Sequence, residues 1–410
     1  MSRKSHMMNR RCAAFFGAAL TAAGCLVIPA APALAQGTLT TLASFNDGNG
    51  ADIRAGLTLV NSTLYGSANY GGVNDEGTLF SVPVSGGSIS DLATFNGTNG
   101  ANPRGNLVVT GSSLYGTAFS GGAYGDGTVF SVPLGGGAVS TLASFNSTNG
   151  SQAYTGPILS GGKLYGVTYA GGASSDGTVF SVPATGGTVT DLASFHGTDG
   201  KNPYASPTLF GNTLYGTTYN GGANGDGEVF SLPIAGGTVS VLASFNGTNG
   251  TGPLSSLLLV GNNFYGTTYK GGADGDGTVF SISLNGGTIT TLASFNGTNG
   301  ANPYASLVVS GNTLYGTTEY GGSSNEGTVF SLPIIGGTVT TLASFDGTNG
   351  SYPIASLTLS GNTLYGTTYS GGTDNDGTVY ALTTPEPAAG PALAILLAWG
   401  LFSLRRYRKS

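Results

Sequence analysis

Between residues 38 and 382 the chain alternates apolar and polar side chains in short runs separated by glycine-rich breaks, and no stretch carries a helical period. In the unit that begins near Ser306 four such runs stand in order: SLVVS, NTLYGTTE, GTVFSLP and TVTTLASF. Their Val, Thr, Leu and aromatic content predicts β-strands. Gly311-Asn312 joins the first pair and Ile335-Gly336-Gly337 the last pair, both with hairpin-turn composition. The two remaining links, 321–326 and 346–352, are longer. Because strands alternate in direction, the long links emerge on one face and the tight turns on the other.

This pattern returns every 50 residues without slippage. Leu64-Tyr65-Gly66 recurs as Leu114-Tyr115-Gly116 and onward to Leu364-Tyr365-Gly366, with Phe264 the one change at the leucine. Phe45, Tyr65 and Phe80 head three columns of seven aromatics each, which read as core layers. Four strands in such a unit are what a propeller blade requires. The last unit stops after its third strand, 377–382, while 38–45 is a fourth strand with no unit of its own. Pairing the two closes a ring and removes an open sheet edge. An open solenoid would instead need polar capping units, and the pattern shows none. The expected fold is therefore all-β: a seven-bladed β-propeller of four-stranded repeats over residues 36–384, closed by its N-terminal strand.

The order of an apolar strand, GNTLYGTT, a Gly-Gly doublet and GTVF resembles a kelch repeat, with Leu or Phe in place of the kelch Trp. The unit is more closely similar to the bacterial tandem-repeat family GloVer, over roughly 38–382. That resemblance implies an exported repeat protein and no defined activity.

The two ends read as targeting segments. Arg10 and Arg11 precede an apolar run, 12–28, and Ala33-Leu34-Ala35 stands before Gln36, the order of a secretory signal peptide over 1–35. Cys12 and Cys25, the only cysteines, would leave with it, so the mature protein would have no disulfide. At the other end, Pro385-Glu386-Pro387, an uncharged run of 17 residues (388–404) and a basic tail ending in Arg405, Arg406, Arg408 and Lys409 resemble the PEP-CTERM sorting signal. The resemblance implies an exosortase-type partner acting on 385–410, a transient inner-membrane anchor through the apolar helix, and delivery to the cell surface or extracellular matrix of a Gram-negative bacterium. A permanent single-pass anchor is the alternative.

Composition narrows the chemistry. Charged residues are 8% of the chain, about a third of the usual globular share, which excludes a helical bundle or a charged disordered tail. With the two end segments set aside, 18 acids face five cations (Arg54, Arg104, Lys163, Lys201 and Lys270), a formal charge of −13. Nucleic acid is an unsuitable partner for such a body. Its one histidine, His196, occupies a column that elsewhere holds Asn96, Asn146, Asn246 and Asn296, so it reads as a loop substitution. No Gly-x-Ser-x-Gly elbow accompanies it, and zinc sites built on His and Cys lack ligands. Neither a cofactor nor a catalytic residue is assigned. Asp274 with Asp276 and Asp374 with Asp376 hint at calcium loops, but the bidentate acid expected further along is missing. An acid precedes GTVF, or its counterpart, in every unit (Glu76, Asp126, Asp176, Asp226, Asp276, Glu326, Asp376) and is expected to pin its own loop by accepting backbone N–H bonds.

On a symmetric ring, a site must be made where the units differ. Two columns on the long-link face do so. One reads Arg54, Arg104, Tyr154, Tyr204, Leu254, Tyr304, Ile354; the other reads Asn69, Phe119, Tyr169, Tyr219, Tyr269, Glu319, Tyr369. Their aromatics offer stacking area at low entropy cost and their guanidinium groups pair with carboxylates. Arg54, Arg104, Tyr154, Tyr204, Tyr304, Phe119, Tyr169, Tyr219, Tyr269 and Tyr369 are accordingly the candidate ligand-binding residues. Three functions fit: a non-enzymatic binding or scaffold module for polysaccharide or a surface protein, a polysaccharide lyase or glycoside hydrolase using acids and tyrosines of that face, or a structural spacer.

Overall fold

A computed structural model describes residues 37–384, in which thirty strands form seven antiparallel sheets with no helix. The proposed signal peptide and the Pro385-Glu386-Pro387 segment with its apolar run lie outside the described residues. The sheets are the blades of a seven-bladed β-propeller, as the sequence pattern predicts. Blades 1 to 6 each hold four strands in chain order; in blade 6 these are Val308–Ser310, Thr313–Thr318, Thr328–Pro333 and Thr340–Ser344. Blades 2 and 4 add a short strand from the incoming link, Ala101–Pro103 and Lys201–Pro203. Blade 7 takes Thr358–Ser360, Thr363–Thr368 and Thr378–Thr383 from the end of the ring and its fourth strand, Leu39–Ser44, from the beginning. Leu39 faces Leu382 and Ser44 faces Thr378 in that pairing. The Thr367 hydroxyl also donates to the Ala55 carbonyl of blade 1 at 3.0 Å, across the same closure.

Seven edge-to-face aromatic pairs join successive blades. Phe45 meets Phe80, Phe95 meets Phe130, and so on to Phe345 and Tyr380, with ring centroids 4.8–5.1 Å apart. These rings are fully buried. Each ring of the Phe80 column occupies the space beside the glycine that follows the motif tyrosine: a Cβ on Gly66 would lie 2.5 Å from Phe80 Cζ. The glycine is thus required by close approach. The Tyr65 column departs from the core-layer expectation, because most of its members are only half-buried against a neighbouring blade. Tyr380 is the odd member of the Phe80 column, and its buried hydroxyl has no hydrogen-bond partner.

Two links differ from the sequence reading. The last link of blade 6 runs over 334–339 rather than three residues, because it serves the preceding blade as well as its own turn. Gly336 N–H closes the turn on the Pro333 carbonyl, and Gly337 N–H donates to the Leu292 carbonyl of blade 5 at 3.1 Å. Leu292 is the extra residue of a β-bulge, which frees that carbonyl from its own sheet. The same bond recurs from Gly87 to Leu42 through Gly287 to Leu242. The first strand is also shorter than read, since residues before Val308 leave the sheet to bond sideways around the axis. Ser306 N–H donates to Ser356 Oγ at 3.2 Å, and Ser306 Oγ accepts from Ser256 N–H at 2.9 Å.

Candidate functional site

The long link into each blade carries a residue in the left-handed region. Asp52, Asn102, Gln152, Asn202, Gly252, Asn302 and Tyr352 have φ between 55° and 62°. Asn and Asp tolerate this conformation best, and five of the seven are Asn, Asp or Gly. The kink turns the chain inward and delivers the next-but-one residue, the Arg54 column, to the axis. What holds the kink is the acidic column, through its backbone. Asn102 N–H donates to the Glu76 carbonyl at 2.8 Å, and five further blades repeat the bond at 2.7–3.1 Å. The acid side chains do not pin their own loop as expected: Asp126 accepts from Ser147 Oγ and Asp226 from Thr251 Oγ1, both at 2.6 Å, on the outgoing link. The kinked asparagines fasten the second column too, since Asn102, Asn202 and Asn302 Nδ2 donate to the carbonyls of Asn69, Tyr169 and Tyr269 at 2.9–3.0 Å.

Both variable columns therefore converge on one mouth of the axial channel. The open basin there has a volume of about 400 Å³ and is lined by Arg54, Arg104, Leu254 and the tyrosines 154, 169, 204, 219, 269 and 304. Tyr154 stacks obliquely on Tyr204 (4.4 Å between centroids) and meets Phe119 and Tyr169 edge-on. Tyr304 packs edge-on against Tyr204, two blades away, and its hydroxyl donates to the Tyr204 hydroxyl. That contact stoppers the channel. Beneath it only about 50 Å³ remains, lined by Asn106, Ser206, Ser256, Ser306 and Ser356 among others, room for a few waters. The blades come so close at this depth that a Cβ on Gly156 would collide with the Asn106 carbonyl.

The basin has two unlike halves. Blades 1 and 2 supply the cations, and blade 7 supplies a ring beneath one of them. Arg104 lies over Phe119 (3.7 Å to the ring centroid) and near Tyr154 (5.2 Å), and its Nε donates to Asn69 Oδ1 at 2.9 Å. Arg54 lies 4.7 Å over Tyr369, whose hydroxyl donates to Asp52 Oδ2 at 2.8 Å. Blades 3 to 6 supply the aromatic wall and one acid, Glu319, which lies beside the phenols of Tyr269 and Tyr320. Burial raises the pKa of Glu319, and the two phenols oppose that shift. The phenols themselves are pushed up: Tyr204 to about 12, chiefly by burial, and Tyr304, Tyr169, Tyr269 and Tyr369 also upward with burial as the first cause. All stay protonated at neutral pH, so none is poised as a phenolate base.

All ten candidate residues read from the sequence thus belong to this mouth: eight line the basin, while Phe119 and Tyr369 back the arginines. Sequence reasoning passed over Asn69, Asp52 and Glu319. The first two position the arginines and their ring partners; the third places an acid in the aromatic wall. The signal for Asn69 and Glu319 was their place as the polar members of an aromatic column. His196 lies on an exposed link, its N–H bonded to Asp199 Oδ1 at 2.8 Å in a turn that Asn pairs make elsewhere, as in Asn96 with Asn99. Asp274 with Asp276 and Asp374 with Asp376 gather no further ligand: among the described residues no group of three or more His, Cys, Asp or Glu is arranged to hold a metal. Asp376 has its pKa raised by burial and by Asp47, Asp374 and Asp52.

Fold and mouth together define a repeat propeller whose axial basin is built where its units diverge. The chain belongs to the Gloeobacter/Verrucomicrobia repeat family, whose profile matches residues 32–213 and 160–380. This bears out the tandem-repeat family resemblance. No curated protein matches the sequence. Among solved structures, an oligogalacturonate lyase in complex with manganese is similar over 86% of this chain and 99% of its own, at 12% identity and a TM-score of 0.53. A protein assigned as a 6-phosphogluconolactonase from Bacteroides uniformis is similar over 76% and 88%, at 14% identity and a TM-score of 0.50. At those identities the likeness is one of fold alone.

Proposed function

We propose that the protein is an exported, non-enzymatic binding module for polysaccharide at the cell surface or in the extracellular matrix. The observation that supports it best is the convergence of both arginines of the described residues and a wall of tyrosines on one mouth, at the positions where the repeats stop being identical. Concavity favours a sugar over a protein partner. A basin of about 400 Å³ suits a small group, whereas a stable protein interface buries on the order of 1,600 Å² of broader surface. The stoppered channel means that a chain rests in the mouth and does not thread the ring.

The export and anchoring part of this reading rests on the 1–35 and 385–410 segments, with an exosortase-type enzyme as the processing partner. The kelch-like motif order suits a binding role as well. Glu319, a half-buried acid with raised pKa beside Tyr269, is what a hydrolase or lyase reading would use.

The purified protein is to be screened against bacterial polysaccharides for both retention and chain cleavage. Retention that falls with Tyr204→Ala and Tyr304→Ala is the expected result. Cleavage lost with Glu319→Gln would replace binding by catalysis, and neither retention nor cleavage would leave a spacer or a protein-binding module.

A further inference from the structure

We infer that the ligand of this mouth carries carboxylates, as a uronic-acid-containing glycan does; the inference rests on the glycan-binding reading above. The first reason is the state of the two arginines. Arg54 and Arg104 are partly buried and share one basin, yet neither lies within ion-pair distance of an acid. Acids outnumber cations by 18 to five in this part of the chain, yet the two that act on Arg54, Asp52 and Glu319, do so without pairing with it, and Asp52 is engaged by the Tyr369 hydroxyl. Desolvated charge without a paired carboxylate is unfavourable, and two like charges in one basin make it more so. An anion in the basin relieves both.

Orphan donors give the second reason. Five buried side-chain polar atoms lack a hydrogen-bond partner among the described residues, and two of them, Arg54 Nε and Asn69 Nδ2, are donors in this same sector. The third reason is preorganisation. Arg104 is held by the Phe119 face and by Asn69 Oδ1, and Arg54 by the Tyr369 face, so their remaining N–H groups are set before a ligand arrives. A planar fork of donors matches a carboxylate two bonds at a time. The opposite wall of tyrosines offers rings to the face of the sugar that bears it.

The test is calorimetric titration of the full-length protein with short oligouronates, with the same oligomers after chemical reduction of their carboxyl groups, and with dextran sulfate. Carboxyl reduction is expected to weaken binding on the order of ten- to a hundredfold, the loss typical when a buried charge is left unpaired. Arg54→Gln and Arg104→Gln should each weaken oligouronate binding comparably and weaken binding of the reduced oligomer far less. Tyr169→Ala should weaken both. The comparison of native and reduced sugars uses the unaltered protein, so a misfolded variant cannot decide it. Equal affinity for native and reduced oligomers, or a preference for dextran sulfate, overturns the carboxylate inference while the glycan reading stands. Retention of none of them overturns both.

Discussion

The seams between blades and the mouth above them are built on the same sevenfold backbone, yet one is uniform and the other diverse. At the seams, Phe80 and its equivalents fill a closed space bounded by the Leu-Tyr-Gly glycine and the preceding Phe, so each blade must supply nearly the same ring. At the mouth, the left-handed kink and its bond to the acidic residue's carbonyl recur around the ring, but the side chain two positions on projects into an open basin. Symmetry there constrains the backbone and releases the side chain. Diversity is therefore greatest where the fold has least use for identity, and it is there that two arginines and a tyrosine wall accumulate.

The sharpest way to break this contrast is at the closure. Deleting residues 38–45 removes the fourth strand of blade 7 and the Phe45 ring of one seam. The expected outcome is a fall in melting temperature larger than any single side-chain substitution in the ring produces; an unchanged melt would mean that the strand does not close the ring in solution.

A smaller effect separates seam from mouth. Phe330→Ala empties a fully buried ring position and should lower unfolding free energy by about 3–5 kcal/mol. Tyr219→Ala at the basin rim should change it by less than about 1 kcal/mol while weakening glycan retention. Denaturant titrations of the two variants test the pair, and comparable destabilisation would show that the mouth is as structural as the seams.

A further test lies at a buried residue that breaks its own column. Glu228 stands where the other blades have Thr, and is buried with Oε1 bonded to Ala223 N–H and Ser244 Oγ while Oε2 has no partner. Burial raises its pKa above the ordinary carboxylate value. The folded state then holds the proton more tightly than the unfolded chain. Its contribution to stability is full below the unfolded pKa and is lost as pH rises through the folded one. Glu228→Thr should thus stabilise the protein at neutral pH by about 1–3 kcal/mol and flatten that slope in melts recorded across pH. Unaltered pH dependence would show that another group carries it.

Much of the fold was legible along the chain. The 50-residue period made the unit visible, the missing fourth strand of the last unit pointed to closure, and the two diverse columns marked the mouth. The roles of Asn69, Asp52 and Glu319 were not legible, because each depends on a partner in a neighbouring blade: Asn69 on Arg104, Asp52 on Tyr369 and Glu319 on Tyr269. The acidic column was read as side-chain chemistry, whereas its backbone carbonyl makes the repeated bond. A column of aligned repeats reports identity and cannot report which atom is in use.

By itself, the sequence determined the unit, the strands within it, the number of units and the faces on which they vary. These follow from local alternation and from repetition, which are properties of the chain read along its length. Distance from the axis was decided only by the tertiary structure. The closed ring draws residues 100 or more than 300 positions apart into one narrow mouth, so that Tyr304 meets Tyr204 and Tyr369 reaches Asp52. Such contacts have no local signature, because they arise from the geometric closing of seven twisted sheets about a common centre.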